Sequence, residues 1–417
     1  MKTYIFIIRR ICHISGAQQY VYNKVKFLEE QGWRVLVFSS IHREVLIHGF
    51  ERYQKYIIPA LYFSPSVFRK RDVDSTINKI INEIGNCHGD ACVIESDSLP
   101  RAIWGELIAS RLNCRHLAFF MQEWHHYDDE MKSFLRFKYE RHELAGITTD
   151  SLFQMFGDES IEARDDTRIS AQCKNVVVDC EDRYSQLLDD TSDYTLASIG
   201  RLNKPCVPAI IDGFCSYVSR YPDKRFNVVM IGGSLVKGKV DEVRKHMKEY
   251  NNINLVMTGD MYPIPLSFVQ KIDVFVSAAG SAGATFIVGQ PTVRVNPANG
   301  EPIGVMGLDN LEGKSMFDSS CNMSIDDCIE RAITQRDRIA YNGTNQDDLK
   351  KIMTDEFERQ LSFLSRCDKK EYYDEKFLLR LKTPNHDKPH VHLIHCILGH
   401  VLGANQLENI RKRMGKI

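Results

Sequence analysis

The chain has 417 residues, 43% of them hydrophobic, too many for one ordinary core and enough for two, so two domains are expected. Lys and Arg number 54 against 55 Asp and Glu, a formal net charge of -1, which removes any global field for nucleic acid and leaves anionic ligands to local groups. The 12 Cys form no CxxC pair and no Cys/His zinc spacing, and no secretory signal precedes them, which points to free thiols in the cytoplasm. The apolar run TYIFII ends at Arg9 and Arg10, too soon for a signal core or a membrane span, and reads as a buried first strand.

From there strand-like and helix-like runs alternate: a helix over Gln18 to Gln31, RVLVFSS, ACVIES, a helix over Leu99 to Arg111, HLAFFMQ, a helix over Lys132 to Glu143, and AGITTD. Short, nearly continuous apolar strands between amphipathic helices are what a parallel sheet covered on both faces requires. NVVVD, Asn175 to Asp179, reads as the last strand of this half, and LLDDTSDY as a linker. The alternation restarts with TLASIG, a helix over Pro205 to Tyr221, FNVVMIGG, a helix over Lys239 to Tyr250, INLVMTG, DVFVSA, a helix from Ser281, and PTVRV. The expected fold is therefore α/β, two doubly wound Rossmann-like domains facing a cleft: residues 1–188, then 189–366 with a helical cover from Ile325. Residues 367–417 form a helical tail with apolar residues at helical spacing that ends in RKRMGK. Such a tail either packs on a domain or lies on anionic lipid.

A glycine turn that feeds a helix lets unsatisfied N–H groups approach an anion closely. Gly16 lies at such a point after the first strand. The second half has more of them: IGRLNKP puts Arg201 and Lys204 past a strand end, IGGS puts Gly232 and Gly233 past the next, MTGD puts Gly259 past a third, and AAGSAGAT opens a helix. Arg201 and Lys204 suit phosphate oxygens.

These segments carry a resemblance. SGAQQYVYNKVKFLEEQGWRVLVFSS, SIGRLNKPCVPAIIDGF, FNVVMIGGS and DVFVSAAGSAGATFIVGQPTVRVNP, in this order and at about this spacing, are similar to the GT-B glycosyltransferases, in particular the retaining group 4 bacterial enzymes. The similarity runs from Met1 to about Arg366. It implies that Gly16 faces sugar and diphosphate, that Arg201 and Lys204 hold the diphosphate of a nucleotide-sugar, and that the turn from Thr258 to Met261 meets the base. It implies no cofactor and no metal. The family's pair of Glu residues is absent from SAAGSAGATFIVG, where Ser281, Gly283 and Thr285 stand instead; the nearest acid downstream is Glu301, which also reads as an exposed loop carboxylate.

In the first domain, MQEWHHYDDE follows a strand that the resemblance aims at the sugar, so Glu123 and His125 are the expected catalytic groups, with His126 beside them. Glu95 and Asp97, at the end of the preceding strand, can line an acceptor site, although Asp97 or Ser98 also suits a helix N-cap. Trp104 falls at helical spacing and reads as core, whereas Trp124 can stack on a sugar.

The expected activity is transfer of a sugar from a nucleotide-diphospho donor to a saccharide or lipid-linked acceptor in surface polysaccharide synthesis, with retention implied by the resemblance. The protein would work in the cytoplasm or at the inner membrane surface, without nucleic acid. Two other readings stand beside this one. The first is a non-catalytic GT-B subunit that binds glycan or protein and supports a partner transferase; the second is an epimerase or phosphorylase on the same fold.

Overall fold

Short apolar runs become buried strands and the amphipathic runs between them become helices, because each strand must lose both of its faces to helices before its side chains leave water. The structure, a computed structural model, describes residues 2–121, 127–146, 149–157, 167, 173–234, 236–341, 346–366, 371–382 and 389–413. In chain order the elements begin β1 (Thr3–Ile8), α1 (Gly16–Glu30), β2 (Arg34–Ser39), β3 (Tyr56–Ile57), α2 (Lys70–Ile84), β4 (Cys92–Ser96), α3 (Leu99–Leu112), β5 (Arg115–Phe120), α4 (Asp129–Glu140), β6 (Leu144–Gly146) and α5 (Thr149–Phe156). They continue with β7 (Val177–Val178), β8 (Tyr194–Ile199), α6 (Val207–Ser219), β9 (Phe226–Ile231), α7 (Lys239–Met247), β10 (Ile253–Gly259), β11 (Ile264–Pro265), α8 (Leu266–Gln270), β12 (Val274–Ala278) and α9 (Ala279–Ile287). The chain ends through β13 (Thr292–Val295), β14 (Pro302–Val305), α10 (Ile325–Thr334), α11 (Gln346–Leu364), α12 (Glu375–Leu378) and α13 (Pro389–Arg413). By contacts it divides into two units, Met1–Gln172 with Met353–Ile417, and Cys173–Ile352.

The first unit is built on a parallel sheet of order β3-β2-β1-β4-β5-β6. One face carries Ile5, Ile7, Phe38, Ile94 and Phe120 in a core shared with Val73, Ile77 and Ile103 of α2 and α3. Each such side chain, fully buried, contributes about 1.5–3 kcal/mol. The other face meets α1 and α11: Tyr20 packs on Phe119 with ring centroids 4.9 Å apart, and Phe357 packs on Phe27 at 5.3 Å. This contact is why the chain from Met353 onward belongs with the first unit. Within it α13 docks through Gly399, where an added Cβ would come within 2.4 Å of the Val67 carbonyl oxygen, and through Leu407, which is buried. The helix breaks at Gly403, and before the break Leu393, Ile394, Ile397 and Val401 are exposed.

The second unit repeats the plan in a sheet of order β10-β9-β8-β12-β13-β14, parallel except for β14. Helices α6 and α10 cover one face through Phe214, Val218 and Ile329, and Phe268, Val269 and Ala284 cover the other. The segment NVVVD, expected to close the first sheet, instead gives β7, which pairs with β11 beside the second sheet. Val177 is drawn there because it is buried with Val256, Ile264 and Phe268. Both sheets thus have the doubly wound strand order expected from the alternation. In each, the order reverses at one place, between β1 and β4 and between β8 and β12, and strand ends at such a switch point are where ligands of doubly wound sheets sit.

Candidate functional site

At the switch point of the second unit the strand ends are stripped to backbone. Gly232, after β9, has φ 141°, and a Cβ there would lie 2.2 Å from the Gly200 carbonyl oxygen, so the two turns approach closely only because residue 232 is glycine. The Gly200 N–H donates to Ile231 O at 2.9 Å and the Leu202 N–H to Gly233 O at 3.0 Å, while Gly232 bridges to Gly259, which laces the ends of β8, β9 and β10 together. The Gly233 N–H donates to Asp260 Oδ1 at 2.9 Å. A side-chain carboxylate therefore already takes the position that an anion would occupy on that turn. The Thr258 hydroxyl is spent on its neighbour, donating to Gly259 O at 3.0 Å.

Arg201 follows Gly200, is half-buried, and its guanidinium has no hydrogen-bond or ion-pair partner among the described residues. Lys204 closes the same turn, its N–H donating to Arg201 O at 3.1 Å. Structure adds a cation that the sequence reading passed over. Burial pushes the Cys173 thiol up to about 11, with Lys174 and Lys204 drawing it the other way, so both ammonium groups lie near that sulfur. Cys173 Sγ lies 3.5 Å from a Cβ built on Gly280, and Lys174 Cε lies 3.2 Å from one built on Gly283. The two lysines thus gather beside the first turns of α9. This helix has no acidic residue in its first turn and no side-chain cap, so its N–H groups retain their affinity for an anion. Ala279, at the strand-to-helix turn, has φ 52°, a strained value for a residue with a Cβ.

Ser281 is half-buried in the first turn of α9. Thr285 is a correction to the expectation: it is fully buried, and its hydroxyl bonds to Ala282 O at 3.1 Å and Thr292 Oγ1 at 3.0 Å, because one further turn of helix carries it onto the sheet. Glu301 is exposed in the loop between β13 and β14, and its carboxylate has no hydrogen bond or ion pair among the described residues. Arg294, not singled out in the sequence, is half-buried at the end of β13; burial pushes its guanidinium pKa down, partly offset by Asp318.

The switch point of the first unit is crowded with side chains. Asp97, after β4, accepts from the Arg9 N–H at 2.9 Å through Oδ2, and from Arg101 Nε at 3.1 Å and Ser98 Oγ at 2.8 Å through Oδ1. Ser98 is the N-cap residue of α3, but its hydroxyl turns to Asp97, so neither residue caps the helix with its side chain. Arg9 donates from Nη2 to the Tyr62 hydroxyl at 2.7 Å and lies over that ring at 4.8 Å. Burial raises the Tyr127 pKa and Arg101 acts against it, which places this tyrosine, the residue after the segment 122–126, near Arg101. Gly16 is exposed at the start of α1, where Gln18 Nε2 donates to Arg10 O at 3.0 Å. Glu123 and His125, with Trp124 and His126, lie outside the described residues.

Glu95 is not at this edge. It is buried under α1, where Lys24 Nζ lies 2.5 Å from its Oε2 and the hydroxyls of Tyr4 and Tyr20 complete the shell. On the opposite face Glu106 contacts Lys138 at 2.7 Å and His116 at 3.0 Å, and Lys138 also contacts Glu143 at 2.6 Å. Burial alone would raise the Glu106 carboxyl, but the Lys138 ammonium and the hydrogen bond with His116 hold it at about 2. Trp104, as expected, is core, its Nε1 donating to Phe63 O at 2.8 Å.

Two doubly wound units with these strand orders define the class: the chain has the GT-B type of α/β fold. Among solved structures it is similar to Anabaena HepE in complex with UDP and glucose, with TM-score 0.59 and 11% identity over 88% of this chain and 98% of that one. It is also similar to a glycosyltransferase from Rickettsia africae, with TM-score 0.54 and 11% identity over 91% of this chain and 96% of that one. No family model and no curated protein matches the sequence. At these identities the likeness establishes the fold, and function has to be argued from the site.

Proposed function

We propose that the chain is a glycosyltransferase that takes its sugar from a nucleotide-diphospho donor. The observation that carries this reading is the gathering of Lys204 and Lys174 beside the uncapped start of α9 at the switch point of the second sheet, with Arg201 in the same turn as Lys204. Fixed cations and free N–H groups there suit a diphosphate, and they act most when it leaves and its charge grows, which is the condition for lowering a barrier rather than only tightening binding. The solved structure of HepE with UDP and glucose supports a uridine nucleotide as the first donor to try. Ser281, Gly283 and Gly232 complete the donor side, and Glu123 or His125 supplies the group that assists transfer. The acceptor is a saccharide or a lipid-linked saccharide, and retention follows the resemblance seen in the sequence. The exposed stripe Leu393, Ile394, Ile397 and Val401, followed in sequence by Arg411, Lys412, Arg413 and Lys416, suits an anionic lipid surface. Among the described residues no helix is long and apolar enough to cross a membrane.

Calorimetry with UDP, GDP and other nucleoside diphosphates tests the reading: one of them should bind, and Arg201→Ala should weaken it. A second reading, a non-catalytic subunit supporting a partner transferase, is favoured by the lack of any carboxylate in SAAGSAGATFIVG. Binding of no nucleotide would select it.

A further inference from the structure

The charges at the switch point of the first unit do not balance. Asp97 is consumed by Arg101, the Ser98 hydroxyl and the backbone of Arg9, so it neutralises Arg101, and among the described residues no carboxylate pairs with the Arg9 guanidinium. Among the described residues Arg9 makes no ion pair, and its only side-chain hydrogen bond runs from Nη2 to Tyr62. Its Nε is buried with no partner, a condition that is costly and uncommon in a side chain with a purely structural role. Tyr62 holds the guanidinium at one nitrogen and over its ring, and the group keeps donors in a fork that suits a planar or tetrahedral anion. The surroundings add positive charge. Burial raises the Cys12 thiol, and Arg10, Arg43 and Arg9 oppose the rise, so these guanidinium groups act on one sulfur. Arg101, itself buried, is disfavoured as a cation by burial and by Arg9, so the two guanidinium groups feel each other.

We propose that the carboxyl edge of the first sheet binds an anionic group, a phosphate or a carboxylate carried by the acceptor, on Arg9 with Arg101 held behind it by Asp97. This rests on the transferase reading, with the donor on the second unit, and it narrows the acceptor to an acidic saccharide or a sugar phosphate. A neutral sugar would leave the Arg9 charge uncompensated.

The test titrates the full chain, in the presence of UDP, with inorganic phosphate, glucuronate and glucose, and repeats the titrations with Arg9→Gln and Arg9→Lys. Phosphate or glucuronate should bind at least tenfold more tightly than glucose. Arg9→Gln should lose at least tenfold of that affinity and Arg9→Lys should keep part of it, with UDP affinity unchanged within twofold in both. Whichever anion depends more on Arg9 identifies the acceptor's group. Wild-type anion binding in Arg9→Gln overturns the proposal, and so does a parallel loss of UDP, which would assign the charge to the donor diphosphate. Arg9-dependent anion binding in a protein that binds no nucleotide would uphold this site while removing the transferase reading. The backbone N–H of Arg9, which bonds to Asp97, survives in both variants, so the fold of the loop is kept.

Discussion

The two sheets share one strand order and differ in what they carry at its reversal. In the second unit the turns are glycines laced backbone to backbone, two lysines lie beside a helix start, and the core clusters beneath are apolar. In the first, the same position is filled by Arg9, Asp97, Arg101 and Tyr62, and the sheet below holds two buried ionic clusters, Lys24 with Glu95 and Lys138 with Glu106 and Glu143. Backbone N–H groups read charge and little else, which suits a part common to all nucleotide donors. Side chains in fixed networks read shape and charge together, which suits the choice of one acceptor. Recognition by side chains must be held rigid, and the buried networks of the first unit are where that rigidity is anchored.

The largest effect expected is on that anchoring. Lys138→Met leaves Glu106 and Glu143 buried without their shared cation and should cost about 3–5 kcal/mol in urea unfolding. A loss below about 1 kcal/mol would mean that the first unit does not depend on its ionic network and would erase the contrast with the second.

Acid should find the same weakness. Glu106 is held at about 2 in the folded chain against an ordinary 4.5, so its contribution, on the order of 3 kcal/mol, is complete above pH 4.5 and is lost as the pH falls toward 2. His116 adds to this earlier. Burial keeps it neutral, so protonation favours the unfolded chain once the pH drops below its ordinary 6.5. Tryptophan fluorescence reports the first unit alone, because Trp33, Trp104 and Trp124 all lie in it. It should therefore show acid unfolding before probes placed in the second unit; the reverse order would contradict the comparison.

Two further variants sharpen the division of labour. Glu123→Gln or His125→Ala should lower turnover about 100-fold, near 2.7 kcal/mol, with nucleotide affinity intact, as expected of a group acting in the transition state. Arg201→Ala should do the opposite and weaken nucleotide binding by about 1.5–3 kcal/mol. Normal turnover in both first-unit variants moves the chemistry elsewhere, and normal nucleotide affinity in Arg201→Ala removes the donor from the second switch point. The tail is tested separately, because its effect concerns a surface and not the site. Deleting Arg411 to Ile417 should reduce co-sedimentation with anionic liposomes by about 1 kcal/mol per lost Lys or Arg, and added salt should shrink the difference. Unchanged co-sedimentation would assign α13 to packing alone.

The sequence by itself determined the two alternating runs, the doubly wound class and the glycine turns with Arg201 and Lys204. These are local facts: strand burial, helix periodicity and turn chemistry are written in consecutive residues. Only the tertiary structure decided the rest. NVVVD looked like the end of the first sheet, yet a two-residue strand has no partner encoded in it, and Val177 found a better one beside Ile264. Thr285 lies only four residues from Ser281, and one turn of helix separates a half-buried edge from the core. Glu95 and Asp97 are two residues apart on consecutive positions of one strand face and its exit, and they end in unrelated surroundings, one sealed by Lys24 and the other set between two arginines. Lys174 and Arg9 became conspicuous only through neighbours far away in sequence, Gly283 for one and Tyr62 and Asp97 for the other. Pattern along a chain fixes which residues can be buried or turned; which charges meet depends on long-range packing, and charge balance is a property of the meeting.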